Sequence, residues 1–123
     1  MIGYITLGTN DLERSGKFYD ALLAVLGAKR VYNTERFIGW TNDSGIMFCV
    51  TKPYDGNAAS VGNGVMISLS AKDQDQVQAV YDKAMSLGAK DEGPVGFRGD
   101  AYYAGYFRDP DGNKLNVLCM VQK

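Results

Sequence analysis

Histidine is absent from the 123 residues of this chain. That absence removes the usual general base at neutral pH, the commonest metal-binding side chain and every Ser-His or Cys-His nucleophile pair. Cysteine is scarce as well. Cys49 and Cys119 stand alone without a CxxC spacing, so neither a disulfide framework nor a zinc site is written here. Both lie in apolar runs (IMFCV and NVLCM), which reads as buried, unreactive thiols. No sign of charge dominates: thirteen Lys+Arg against fourteen Asp+Glu leave a net charge of −1. There is thus no basic footprint for nucleic acid or an anionic membrane. No run approaches the roughly eighteen apolar residues of a membrane span. The opening MIGYITLGTND lacks the basic stretch and long apolar core of a signal peptide. A soluble, cytoplasmic protein is expected, with no nucleic-acid or membrane partner.

What is present suits a folded domain. Hydrophobic residues make up 46% and charged residues 22%, and a single domain of this length buries about two-thirds of its unfolded surface. The clearest pattern is an internal repeat. Phe18-Tyr19-Asp20-Ala21 leads into Leu26-Gly27-Ala28-Lys29, and Val80-Tyr81-Asp82-Lys83 leads into Leu87-Gly88-Ala89-Lys90. The spacing is half the chain, which points to one module written twice.

Each copy opens with period-two alternation, placing Ile5 and Leu7 on one face in the first and Val65, Ile67 and Leu69 in the second. A helix follows each. Asn10 is the expected N-cap of the first, with Glu13 three residues on and Tyr19, Leu22, Leu23 and Leu26 as its apolar stripe. Asp73 and Gln76 are the equivalents in the second, with Val77, Val80, Tyr81, Ala84 and Leu87 as its stripe. Gly27 and Gly88 are natural terminators. Strand texture returns at 29–32, 36–41 and 46–51, and again at a weak edge 89–92, then 102–108 and 114–121. The DPDGN segment at 109–113 reads as a tight reversal. The layout is βαβββ (1–52), a polar linker (53–63) and βαβββ (64–123). A ferredoxin-like domain also repeats strand-helix-strand, but it allows only two strands between its helices; the stretch from Ala28 to Ser70 holds four.

The opening YITLGTNDLERSGKFYDALLAVLGAK and the closing YYAGYFRDPDGNKLNVLC resemble the vicinal-oxygen-chelate superfamily, also called the glyoxalase/bleomycin-resistance/dioxygenase group. The resemblance spans the whole chain. It implies an α+β fold in which two tandem βαβββ modules form curved mixed sheets around a concave cavity, with helices on the convex side. It also implies a ligand cavity, and in many members a metal held by His, Gln or Glu. At the matching positions this chain has Tyr4, Met66 and Asn116, with the fourth position near Phe48 or Cys49. None offers the imidazole or carboxylate that a hard divalent ion takes. Met66 and Cys49 have the softness for Cu(I), but such residues on strands are packing groups far more often. No metal and no cofactor are expected.

Alternation that sends Ile5 and Leu7 to the helices sends Tyr4, Thr6, Met66 and Ser68 to the cavity, with Asn116 and Leu118 from the last strand. Trp40, Phe48, Tyr102, Tyr103 and Tyr106 are further aromatic candidates, since tyrosine offers ring area with a hydroxyl at low entropic cost. Arg98, in the Gly-rich stretch GPVGFRGD, is the better of two candidate anchors for an anionic substrate; Arg108 is the other. The segments 57–64 and 93–100 have the glycine content of lids. The binding set is therefore Tyr4, Thr6, Trp40, Phe48, Met66, Ser68, Arg98, Tyr102, Tyr106 and Asn116. The expected function is a metal-free small-molecule-binding protein. The alternatives are a lyase- or isomerase-type enzyme without metal, an enzyme with an atypical metal site, or an interaction module. A homodimer is compatible with all of these.

Overall fold

A computed structural model describes residues 1–121. The repeat in the sequence is a repeat in space. The first half contains β1 (Tyr4–Gly8), α1 (Leu12–Ala24), β2 (Lys29–Asn33), β3 (Phe37–Thr41) and β4 (Met47–Thr51). The second contains β5 (Ile67–Ser70), α2 (Gln74–Ser86), β6 (Lys90–Arg98), β7 (Tyr102–Arg108) and β8 (Lys114–Met120). The four strands β2 to β5 lie between the helices, as the tandem βαβββ arrangement requires. The sheets have equivalent orders, β1-β4-β3-β2 and β5-β8-β7-β6. In each, the first strand pairs in parallel with the last and the remaining pairs are antiparallel. Both are open four-stranded sheets.

The helices begin where charge and capping favour them. At α1 the cap is Asp11, one residue beyond the Asn10 read from sequence; its side chain accepts from the Arg14 N–H at 3.0 Å. Asp and Asn cap comparably by residue type, so it is their partners that distinguish them here. Asn10 instead ties down the linker, bonding both the N–H and the C=O of Ala59. At α2 the expected pair forms: Asp73 accepts from the Gln76 N–H, and Gln76 Oε1 accepts from Lys72 N–H. Gly27 and Gly88 follow the helices with φ of 74° and 85°, the left-handed geometry that spares them a Cβ clash.

Register sets which residues face the helices. β1 pairs Ile5 with Phe48 and Leu7 with Val50, and β3 pairs Ile38 with Val50 and Trp40 with Phe48. These six residues face α1, packing with Tyr19, Leu22 and Leu23. In the second sheet Ile67, Leu69, Leu115, Val117 and Phe107 take the equivalent positions beneath Val77, Val80 and Ala84. The two halves share one apolar core through contact of α1 with α2.

Two further sequence expectations shift. The segment expected as a loop or lid at 93–100 is mostly strand: β6 runs to Arg98, carried past Gly93, Pro94 and Gly96 by register shifts. An edge strand tolerates a proline and bulges that a central one would not. β5 starts at Ile67 rather than Gly64, leaving Val65 and Met66 in the exposed linker instead of on the strand faces. The DPDGN segment makes the expected tight reversal between β7 and β8, and its buried Asp109 and Asn113 also bridge the halves. Asp109 accepts from the Tyr19 hydroxyl at 2.6 Å, and Asn113 Nδ2 donates to the Gly8 carbonyl at 2.9 Å. Asp111 receives the Thr9 hydroxyl and pairs with Arg14. Burial of the Asp109 carboxyl raises its pKa, although bonds from Tyr19 and Asn113 act in the opposite direction.

Candidate ligand-binding faces

Each sheet turns one face to its helix and leaves the other uncovered, so alternation selects a second set of residues. On the first sheet, Tyr4, Thr6, Met47, Cys49, Thr51, Phe37 and Tyr32 share the helix-free face. They line a pocket of about 330 Å³. Its rim is aromatic and exposed, Tyr4 keeping 65% of its surface, and its floor is thioether, thiol and hydroxyl. Gly39 makes room for that floor. A Cβ there would lie 2.8 Å from Met47 Sδ and 3.3 Å from Cys49 Sγ. Burial raises the Cys49 pKa, which keeps the sulfur a neutral thiol.

The second sheet presents Ser68, Ser70, Asn116, Leu118, Tyr102, Ala104 and Tyr106. Arg98 lies opposite Tyr102, and Lys114 opposite Arg108, on the same face. Here the chemistry is cationic. The Arg98 guanidinium lies 5.3 Å from the Tyr106 ring centroid and Lys114 Nζ lies 5.8 Å from it. Arg108 is neutralised by Glu92 at 2.7 Å, and that bond first of all holds the Glu92 carboxyl below its usual value. Lys114 and Arg108 also border a groove of about 480 Å³, whose opposite wall is the linker from Val61 to Met66.

Of the residues singled out from sequence, Tyr4 and Thr6 lie on the first open face. Ser68, Arg98, Tyr102, Tyr106 and Asn116 lie on the second. Met66 lies beside the groove, ahead of β5. Trp40 and Phe48 are elsewhere, turned towards α1. Trp40 is 1% exposed and its indole N–H donates to Asp20 Oδ1 at 2.9 Å, while the Phe48 ring lies 4.7 Å from that of Tyr19. Both border a small seam cavity of about 210 Å³ between the halves. The cause is legible in burial. Ile38, Gly39 and Trp40 in β3, and Phe48, Cys49 and Val50 in β4, are buried consecutively, so period two carries no signal there. Tyr32, Phe37, Met47 and Lys114 went unselected. Pairing of Thr6 with Cys49 would have recovered the neighbours of Cys49, and alternation from Asn116 would have recovered Lys114.

The pattern of the Glyoxalase/Bleomycin resistance protein/Dioxygenase superfamily matches residues 1–117. The chain belongs to that superfamily. A glyoxalase/bleomycin resistance protein from Albidiferax ferrireducens T118 is similar at 36% identity, with 96% of this chain and 97% of that chain covered and a TM-score of 0.89. A glyoxalase/bleomycin resistance protein/dioxygenase family enzyme from Burkholderia phytofirmans PsJN shares 14% identity over 97% and 98% of the chains at a TM-score of 0.79. A putative glyoxalase from Bacillus halodurans shares 17% over 96% and 94%, also at 0.79. The latter two show the fold alone. No curated protein matches the sequence.

Many members of the superfamily use a metal, and the donor set here does not fit one. Tyr4 and Cys49 belong to one sheet, Asn116 to the other, Met66 to the linker, and Phe48 is turned into the core. A phenol, a neutral thiol, a thioether and an amide divided in this way do not replace carboxylates and imidazoles around a hard divalent ion. Among the described residues there is also no group of three or more Cys, Asp or Glu side chains placed to hold one.

Proposed function

We propose that this superfamily member is a metal-free small-molecule-binding protein of the cytoplasm, and that the two open sheet faces are its binding surfaces. The observation that carries this reading is the first-sheet pocket. It is an uncharged, aromatic-rimmed hollow of about 330 Å³ on the first sheet, and the open face of the second sheet supplies polar and cationic groups. Apolar walls with a few polar anchors are what a small organic ligand requires. The domain is taken as one unit of two modules, 1–52 and 64–123, joined by the linker 53–63.

Within one chain the open faces lie on the sides of the sheets opposite their helices, while the helix layers meet each other. The two sheets share no strand pairing, and we infer that a second copy covers their open faces, the first-sheet face of one protomer lying over the second-sheet face of its partner. Exposed Tyr4, Tyr32, Tyr102 and Met120 supply apolar surface for that contact. Sedimentation of the wild type as a dimer, and of Tyr4→Glu as a monomer, is the expected result.

The titratable groups with displaced pKa values speak for binding over acid–base catalysis. Tyr19 is raised by burial and by Asp109 beside it, and both belong to the interior bridge. Asp20, whose burial would raise its pKa but whose bonds from Arg30 and Trp40 together lower it, lies on α1. Tyr81 is raised by burial and by its bond to Asp91 on the α2 side. These three shifts follow structural bonds away from the open faces, while the displaced groups at the faces are a buried neutral thiol, Cys49, and the ion-pair partner of Arg108, Glu92. A thermal-shift panel of small aromatic and polar organic compounds tests the reading. It predicts ligands of micromolar affinity recovered unchanged after incubation; an empty panel, or conversion of the bound compound, contradicts it.

A further inference from the structure

We propose that the open face of the second sheet selects organic anions that also carry an N–H or O–H donor, the anion held by Lys114 and Arg98 and the donor by Asn116. This rests on the small-molecule-binding reading and names the ligand class for that site. Three observations carry it.

The first is the state of the cations. Arg14 pairs with Asp111, Arg30 with Asp20 and Arg108 with Glu92. Arg98 and Lys114 form no ion pair among the described residues, although both sit on this face. Arg98 is nonetheless held in place. Its guanidinium donates to the carbonyls of Pro94 at 2.6 Å and Phe97 at 3.3 Å, and the absence of a Cβ at Gly93 lets it lie close to the strand. Arg98, bonded to neutral carbonyls only, and Lys114, which lies over the Tyr106 ring and near Glu92 without pairing to it, keep charge to offer an anion.

The second is the ring between them. Tyr106 stands on β7, flanked by Arg98 from β6 and Lys114 from β8, with both charges within 6 Å of its centroid. Cation–π contact orders two long side chains that would otherwise sample solvent, so less entropy is lost when a ligand arrives.

The third is Asn116. It is 3% exposed, lies on this face between Ser68 and Tyr106, and its Oδ1 is buried without a protein hydrogen-bond partner. An orphan carbonyl oxygen is complementary to a donor and repels an anion. Lys114 and Asn116 are alternate residues of one strand, so their Cα atoms lie about 7 Å apart. A ligand that spans both is thus an acid with a hydroxyl or amino group on the order of one ring-length from its anionic end.

Titration of the full-length protein with 4-hydroxybenzoate, benzoate and 4-hydroxybenzamide, read by amide NMR shifts, tests this. The first offers both features, the second lacks the donor and the third lacks the charge. Binding of 4-hydroxybenzoate is expected to be about tenfold tighter than of the amide, with benzoate intermediate. Arg98→Gln/Lys114→Gln should erase the advantage over the amide, and Asn116→Leu the advantage over benzoate. Lys17→Gln, which removes one positive charge from the outer surface of α1, should change nothing. Unchanged melting temperatures of the Arg98 and Lys114 variants exclude a folding defect. Equal affinity for the acid and the amide, or a preference that survives the double variant, overturns the inference while leaving the binding reading intact. If none of the three binds, the inference falls, and the wider panel then decides the reading separately.

Discussion

Asp109→Ala removes the acceptor at the centre of the bridge between the halves. Oδ1 of Asp109 accepts from the backbone N–H groups of Asp111 and Asn113, each at 2.9 Å. Oδ2 accepts from the Tyr19 hydroxyl at 2.6 Å and from Asn113 Nδ2 at 3.0 Å. Tyr19 is fully buried, so its hydroxyl has no route to water once the carboxylate is gone. A hydrogen bond to a charged group contributes about 1.5–3 kcal/mol, and a buried donor left alone costs about 1–3 kcal/mol. The cost of burying the charge offsets part of this, which leaves a net loss of about 3–5 kcal/mol. Tyr19→Phe deletes one of the four bonds and should cost about 1–2 kcal/mol. Urea unfolding measures both, with the midpoint lowered and the slope unchanged. A loss within about 0.5 kcal/mol for Asp109→Ala, the range of ordinary surface changes, refutes the reasoning.

Asp109→Asn then separates charge from shape. Burial dominates the environment of this carboxyl and raises its pKa above the unfolded value. Such a group contributes stability that is fully present below the unfolded pKa, about 3.9, and lost as pH rises through the folded one. The wild type should therefore gain on Asp109→Asn as pH falls from neutrality towards about 4. A flat difference, or the opposite slope, contradicts the assignment.

Three further outcomes follow from packing. Trp40→Phe breaks the indole bond to Asp20 and should cost about 1–3 kcal/mol in urea melts while leaving ligand affinity unchanged, because Trp40 faces α1. Gly105→Ala would place a Cβ 2.8 Å from Tyr81 Cδ1 and 2.9 Å from Val95 Cγ2, for an expected loss of about 1–3 kcal/mol in the same assay. Cys49 and Cys119 are buried with raised pKa values, so Ellman's reagent should label them slowly in the native protein and rapidly in urea; fast native labelling contradicts the burial.

Where one face of an element is buried and the other wet, the sequence was readable. The alternation of β1 placed Tyr4 and Thr6 opposite Ile5 and Leu7, and Asp73 with Gln76 marked the start of α2. It is silent where both faces are buried, in β3 and β4, so nothing local shows that Trp40 and Phe48, candidates for the cavity by residue type, face α1. It failed at β6, where Gly93, Pro94 and Gly96 are loop residues by composition yet form a bulged edge strand by pairing. The bridge at Asp109 was hidden differently. Its partner Tyr19 lies 90 residues away, beyond any local pattern. The cationic face needed three strands in register, with Arg98, Tyr106 and Lys114 converging from β6, β7 and β8.

The central claim is that the open sheet faces bind a small molecule without metal. Amide NMR of the uniformly labelled protein in EDTA, titrated with the tightest compound from the thermal-shift panel, tests it most directly. Shifts should concentrate at Tyr4, Thr6, Tyr32 and Cys49 and at Ser68, Tyr106, Lys114 and Asn116. The indole N–H of Trp40, the one tryptophan in the chain, should stay in place. Shifts gathered along α1 and α2, or binding that vanishes with the chelator and returns with a divalent ion, would contradict the account.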